Sequence, residues 1–147
     1  DSRGRDWARD LVADLAAIRT AGASALVTLL EREEFATYGV TALPQRVHEA
    51  GLGWFHWPIR DMGTASAETE ALIAAQGPAL AARLQAGETV VIHCAAGLGR
   101  SGMLAAQWLV RAGLDPDDAI ARVRAARPGT IETDDQADAV RALVKAG

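Results

Sequence analysis

Thr89-Val90-Val91-Ile92-His93-Cys94-Ala95-Ala96-Gly97-Leu98-Gly99-Arg100-Ser101-Gly102 runs from a β-branched apolar segment through a glycine-bearing loop into a long apolar stretch. Thr89 to His93 is the most strand-like segment of the chain. From Arg100 to Ala112 the chain is apolar nearly all round, with Met103, Leu104, Trp108, Leu109 and Val110, which predicts a central helix ended by Gly113. A strand end, a loop holding Gly97 and Gly99, and the N-terminus of a buried helix aim several backbone amides at one point. That arrangement binds a phosphate dianion.

Outward from this segment, strand and helix patterns alternate. Ala25–Leu30 and Leu52–Trp57 read as further strands. Helices are expected over residues 6 to 20, capped by Asp6 and carrying Trp7, Leu11, Leu15 and Ile18, and over Leu43 to Ala50. Residues 65 to 86 hold a helical pattern that Gly77 and Pro78 interrupt, which predicts a kink or two helices, because proline lacks the amide and crowds the preceding turn. Asp115 with Pro116 starts a helix that stops before Pro128 and Gly129. Thr133 and Gln136 have capping-box spacing for a last helix through about Val144. The expectation is an α/β fold, with a central, mostly parallel, twisted sheet flanked by helices on both faces. No repeat, low-complexity stretch or linker divides the chain, so residues 1–147 are expected to form a single domain.

Composition removes several function classes. The 147 residues include 15 basic and 19 acidic side chains, a net charge of −4, so no broad cationic surface exists for a nucleic-acid backbone or an anionic membrane. No apolar run approaches the roughly 20 residues that span a bilayer, and no charged-then-apolar leader precedes the first expected helix. A soluble, cytoplasmic protein is expected. The chain has one cysteine, Cys94, which excludes an internal disulfide framework and a multi-cysteine zinc site. Cys94 is then either a small apolar residue ending a core strand or a reactive thiol.

Spacing decides in favour of the thiol. Five residues separate Cys94 from Arg100, enough for the loop to curl and bring the guanidinium back beside the sulfur, where it grips two phosphate oxygens. The amides, the helix dipole and Arg100 favour the thiolate, which is the nucleophilic form. A packing cysteine requires none of the His93, Gly97, Gly99, Arg100 and Ser101 positions.

The stretch from His93 to Gly102 resembles the signature of cysteine-dependent protein tyrosine and dual-specificity phosphatases. With His56-Trp57-Pro58-Ile59-Arg60-Asp61-Met62-Gly63-Thr64 upstream and Gly129-Thr130-Ile131-Glu132-Thr133 downstream, it is similar to the kinase-associated phosphatase group, over about Trp7 to Val140. The resemblance implies a protein tyrosine phosphatase-like fold, Cys94 as nucleophile, Arg100 as phosphate clamp and residues 95–100 (Ala95, Ala96, Gly97, Leu98, Gly99, Arg100) as the phosphate-binding loop. It also puts Asp61 on the general-acid position, the same residue then serving as base against a cysteinyl-phosphate intermediate. Asp61 is the only aspartate between Asp14 and Asp115, and by position alone it is equally a solvated loop acid.

Other residues carry two readings each. Ser101 is a donor to the Cys94 thiolate as it leaves, or an N-terminal helix hydroxyl satisfying backbone amides. His93 ends the strand and is expected to orient the loop. His48 and His56 share no ligand spacing with it, so neither a metal nor another cofactor is expected. Gln136 is explained by the capping box, with the positioning of the attacking water as the catalytic alternative. Arg124 and Arg127 form either a basic lip steering phosphorylated substrate or a solvated helix face.

Ala95, Ala96 and Leu98 offer no lysine for additional phosphates, which favours a singly phosphorylated substrate. The expected function is hydrolysis of phosphotyrosine, and of phosphoserine and phosphothreonine, in protein or peptide partners. Alternatives are a small-molecule or inositol phosphate phosphatase, a rhodanese-like sulfur or arsenate enzyme, and a non-catalytic phosphopeptide-binding module. The rate should follow a bell in pH, needing Cys94 deprotonated and Asp61 protonated.

Overall fold

The structure, a computed structural model, describes residues 15–95 and 99–143. Its contacts gather into two compact units, one drawn from Asp1–Pro58 and Ala67–Ile92, the other from Ile59–Ser66 and His93–Gly147.

The first unit holds the sheet. Residues 15–20 are helical (α1), the described part of the helix expected from residue 6; Asp6, Trp7 and Leu11 lie outside the described residues. Then come β1 (Ala23–Thr28), α2 (Arg32–Thr37), α3 (Leu43–Glu49), β2 (Gly53–His56), α4 (Ala67–Gln85) and β3 (Thr89–His93). The strands form a small parallel sheet in the order β2-β1-β3, the α/β class expected from the sequence. β1 pairs with β2 in parallel register from Ala25 opposite Gly53 to Thr28 opposite His56. As the middle strand, β1 is buried at every position except the half-buried Ser24, hence its nearly continuous apolar run.

β1 begins and ends two residues earlier than the run at Ala25–Leu30 suggests. Leu29 and Leu30 are fully buried but follow the ladder, whose end is marked by the Trp57 amide donating to the Thr28 carbonyl at 3.0 Å. α2 is a helix that the sequence pattern did not announce. Glu34 Oε1 accepts from the Glu31 amide at 2.9 Å, and Phe35 is its buried residue.

The aromatic β2 segment satisfies its own polar atoms. Trp54 Nε1 donates to Thr28 Oγ1 at 2.7 Å, and Trp57 Nε1 donates to Gln76 Oε1 of α4 at 2.7 Å. His56 donates from Nε2 to the Leu30 carbonyl at 2.7 Å and stacks on Trp54 at 5.2 Å. A buried indole or imidazole keeps a hydrogen-bond partner in this way.

α4 is one helix, not two, and Pro78 lies inside it. Its buried residues, Thr69, Ile73, Gly77 and Leu80, fall at helical spacing on a single stripe that crosses the Gly77–Pro78 junction. Burial along an unbroken stripe offsets a proline cost of about 3 kcal/mol. At its start the Thr69 hydroxyl donates to the Pro58 carbonyl, fixing the chain immediately before residue 59.

The second unit is helical: α5 (Gly99–Arg111), α6 (Pro116–Ala126) and α7 (Asp134–Arg141) pack on one another. α5 is fully enclosed only from Gly99 to Leu104 and at Ala106 and Val110, whereas Gln107, Trp108 and Leu109 are half-buried and Arg111 is exposed over the Trp108 ring at 5.0 Å. Its outer half is therefore amphipathic rather than apolar all round. Gly113, at φ 109°, ends the helix in the left-handed region. Asp115 caps α6 by accepting from the Asp117 amide at 3.2 Å, with Pro116 at the first helical position. Thr133 and Gln136 form the expected capping box of α7, which ends at Arg141 rather than near Val144; Val144 lies outside the described residues.

Candidate active site

Cys94 follows β3 directly and is 5% exposed, with a free thiol. Ala95 is half-buried, and α5 starts at Gly99; Ala96, Gly97 and Leu98, the middle of the expected phosphate loop, lie outside the described residues. Ser101 is in the first turn of α5, and its hydroxyl donates to Cys94 Sγ at 3.1 Å. Both side chains are buried, so this sulfur has a fixed donor seven residues along the chain. His93 is half-buried at the end of β3.

Arg100 is 2% exposed although it is a permanent cation. A buried guanidinium requires partners. Nη1 donates to the Ile59 carbonyl at 2.9 Å, and Nη2 stands 3.6 Å from Asp61 Oδ1. The arginine of the glycine-bearing loop therefore holds the loop that carries Asp61, across 41 residues of sequence. Asp61 itself is 66% exposed, and Arg60 beside it is exposed.

The Asp61 loop is a tight turn, closed by the Gly63 amide donating to the Arg60 carbonyl at 2.8 Å. Within it Met62 has φ 61°, an unusual setting for a residue with a side chain, and that side chain is 50% exposed. The far end of the turn is held by Gln136 of α7, fully buried, whose Nε2 donates to the Gly63 carbonyl at 3.1 Å. The same amide's Oε1 accepts from the Glu132 and Thr133 backbone amides at 3.0 and 3.3 Å. So the capping-box reading of Gln136 holds, and a second contact that sequence spacing did not suggest accompanies it.

Two glycine-bounded approaches, at Gly102 and Gly99, set α5 against the segment before α7. A Cβ on Gly102 would sit 2.8 Å from Thr130 Cβ and 3.2 Å from the Ile131 amide nitrogen. One on Gly99 would meet Glu132 Oε1 at 2.5 Å and both amide atoms of Gln136 at 3.0 and 3.2 Å. Arg124 belongs to this framework: Nε donates to the Thr130 carbonyl at 3.1 Å and Nη2 to the Ile131 carbonyl at 2.9 Å. Its fork points at backbone, so it serves neither as a basic lip nor as a merely solvated charge. Arg127 is exposed beyond the end of α6.

Cys94, Ser101, Arg100, Asp61 and Gln136 all fall in the second compact unit, which holds a buried thiol with a hydroxyl donor and a buried cation paired with an exposed carboxylate. Among the described residues no group of three His, Cys, Asp or Glu side chains is placed to hold a metal ion. Among them also, no helix is long and apolar enough to cross a membrane.

Residues 4–114 match the family described as polymorphic toxin system, DSP-PTPase phosphatase. The chain belongs to that family. This DSP-PTPase phosphatase chain is a member of the cysteine-dependent protein tyrosine and dual-specificity phosphatase superfamily. It is 42% identical over 104 residues to protein tyrosine phosphatase domain-containing protein 1 of Bos taurus, a match covering 70% of the chain but 13% of that relative's length. Among solved structures it is similar to kinase associated phosphatase bearing a serine in place of its catalytic-site cysteine, at 27% identity and TM-score 0.79 over 88% of this chain and 72% of that one. Tk-PTP in its active form matches at 28% identity and TM-score 0.70 over 90% of this chain and 87% of the other.

Proposed function

We propose that this DSP-PTPase phosphatase chain hydrolyses phosphoric monoesters of tyrosine, and of serine and threonine, in protein or peptide substrates through a phosphocysteine intermediate. The single observation that carries the reading is the Ser101 hydroxyl on Cys94 Sγ at 3.1 Å, in the same unit as the Arg100–Asp61 pair. A thiol that only filled a core would need neither donor nor buried cation.

In the first step the Cys94 thiolate attacks phosphorus, an S–P bond forms and the bond to the ester oxygen breaks. Arg100 meets the equatorial phosphate oxygens with its planar fork, and Asp61 gives its proton to the departing alkoxide or phenoxide. In the second step water attacks phosphorus, the Asp61 carboxylate takes the water's proton, and the S–P bond breaks to return the thiolate and release inorganic phosphate. The Ser101 hydroxyl donates to the sulfur as its charge grows. Every group named supports a reaction in which charge appears at a defined atom and meets a prearranged donor.

Substrate class rests on the loop composition and on a printed likeness. Ala95, Ala96 and Leu98 bring no cation for a second phosphate, and relatives carry tyrosine phosphatase in their names. A rhodanese-like reaction would have no use for Asp61 or Ser101. The test is hydrolysis of para-nitrophenyl phosphate by wild type, Cys94→Ser and Asp61→Ala, with phosphotyrosine, phosphoserine and phosphothreonine peptides, inositol phosphates and thiosulfate as competing substrates. Turnover of phosphopeptides that Cys94→Ser abolishes and Asp61→Ala depresses supports the proposal. A wild type that binds phosphopeptide without turnover, or prefers inositol phosphates or thiosulfate, overturns it.

A further inference from the structure

Gln136 makes more contacts than a helix cap requires. A capping box needs an acceptor at this position, and glutamate or glutamine serves it equally. Oε1 of Gln136 fills that role by accepting from the Glu132 and Thr133 amides. The other end of the same amide is a donor, and Nε2 reaches back 73 residues to the Gly63 carbonyl at 3.1 Å. The side chain is fully buried, so no water competes for this bond.

That bond completes a suspension. The turn from Arg60 to Gly63 is tied at one end through Ile59 to Arg100 and at the other through Gly63 to Gln136. Asp61 lies between the two ties with its carboxylate 66% exposed, so its position is set by the backbone beneath it more than by packing around it. Met62, next in sequence, is kept at φ 61°, a setting costing on the order of 1 kcal/mol that persists only where surrounding contacts over-determine it.

We infer that Gln136 is a positioning residue for Asp61: its Nε2 donor on the Gly63 carbonyl holds the turn so that the Asp61 carboxyl is presented to the ester oxygen. The inference rests on the phosphatase reading above and assigns Gln136 to the first chemical step. Positioning of the attacking water would instead assign it to the second.

Gln136→Glu separates the two ends of the side chain. At neutral pH the glutamate carboxylate still accepts from the Glu132 and Thr133 amides but has nothing to donate to Gly63. Gln136→Met removes both ends without adding charge and serves if the glutamate variant does not fold. Each variant is assayed, after a melting curve, on phenyl phosphate, whose leaving group needs a proton, and on dinitrophenyl phosphate, whose leaving group does not.

The expected result is a loss of kcat/KM on phenyl phosphate on the order of 10- to 100-fold, since small displacements of a catalytic group have effects of that size. The kcat/KM on dinitrophenyl phosphate stays near wild type, and in an Asp61→Asn background the Gln136 change produces no further loss of kcat/KM on phenyl phosphate. An equal loss on both esters overturns the inference in favour of a purely structural cap. Loss of kcat alone, with a burst of phenol and intact kcat/KM, overturns it in favour of water positioning. A wild type inert towards both esters overturns the phosphatase reading itself, and this inference with it.

Discussion

Arg100 and Asp61 form an ion pair at 3.6 Å whose two members occupy opposite surroundings, the guanidinium 2% exposed and the carboxylate 66% exposed. With one end in water, the pair adds about 0–1 kcal/mol to stability. Its importance is geometric, because the cation that would grip phosphate also touches the acid that would protonate the leaving group. Arg100→Lys keeps the charge but loses the planar fork, and one ammonium cannot reproduce bonds to Ile59, to Asp61 and to two phosphate oxygens. The expected loss in kcat/KM on para-nitrophenyl phosphate is on the order of 10²- to 10³-fold. Asp61→Ala removes a carboxylate that repels the dianion, so vanadate should bind as tightly as to wild type or tighter, measured by calorimetry, while turnover falls. Weaker vanadate binding by that variant would show that Asp61 helps to build the anion site rather than competing for its cation.

In the proposed reaction Ser101 would act at the other end. Its hydroxyl is already on Cys94 Sγ, so Ser101→Ala should slow the step in which sulfur leaves. Stopped-flow measurement is expected to show a burst of product followed by a steady state slowed on the order of 10-fold or more, with kcat/KM little changed. A kcat/KM that falls in parallel with kcat would move Ser101 to the first step.

Gly102 is required by distance rather than by backbone angle. An alanine methyl there would press on Thr130 Cβ at 2.8 Å and on the Ile131 amide at 3.2 Å, both on a segment that Arg124 holds in place. Gly102→Ala should cost about 1–3 kcal/mol, read as a lowered melting temperature. Gly113→Ala, where nothing lies within 4 Å but φ is 109°, should cost about 1–2 kcal/mol through backbone strain alone.

The sequence was most legible where chemistry fixes residue types at short spacing. The Ser101 hydroxyl on Cys94, the caps at Asp115 and Thr133, and the limits of β3 all rest on neighbours within a few residues. What stayed hidden was long-range bonding to backbone. The ties from Arg100 to Ile59 and from Gln136 to Gly63 cross 41 and 73 residues, and their acceptors are carbonyls, which every residue carries. Apolar runs misled for a related reason. Leu29 and Leu30 are fully buried yet lie past the end of β1, because hydrophobicity reports burial while strand limits depend on pairing. At Pro78 the sequence predicts a kink or two helices because propensity is local, whereas the stripe that carries α4 across it as one helix is a property of the packed helix.

Ile131 shows how much of the site depends on one such hidden contact. It is β-branched, 2% exposed and held at φ 58°, a conformation that costs a β-branched residue on the order of 1–2 kcal/mol. Glycine would relieve that strain but give up a buried side chain, a loss of about 2–5 kcal/mol, so Ile131→Gly should be destabilising on balance. The strain persists because Arg124 fixes the two carbonyls at Thr130 and Ile131 with one planar group. Arg124→Lys can keep only one of these bonds, with an expected cost of about 1 kcal/mol at this partly exposed position. Since Thr130 and Ile131 lie against Gly102 and the next residue, Glu132, lies against Gly99, the loosened segment should also disturb the start of α5. Arg124→Lys is therefore expected to lower kcat/KM several-fold more than its small change in melting temperature would suggest. Steady-state kinetics well below that temperature check this, and an unchanged kcat/KM would separate the Thr130–Ile131 segment from the active site.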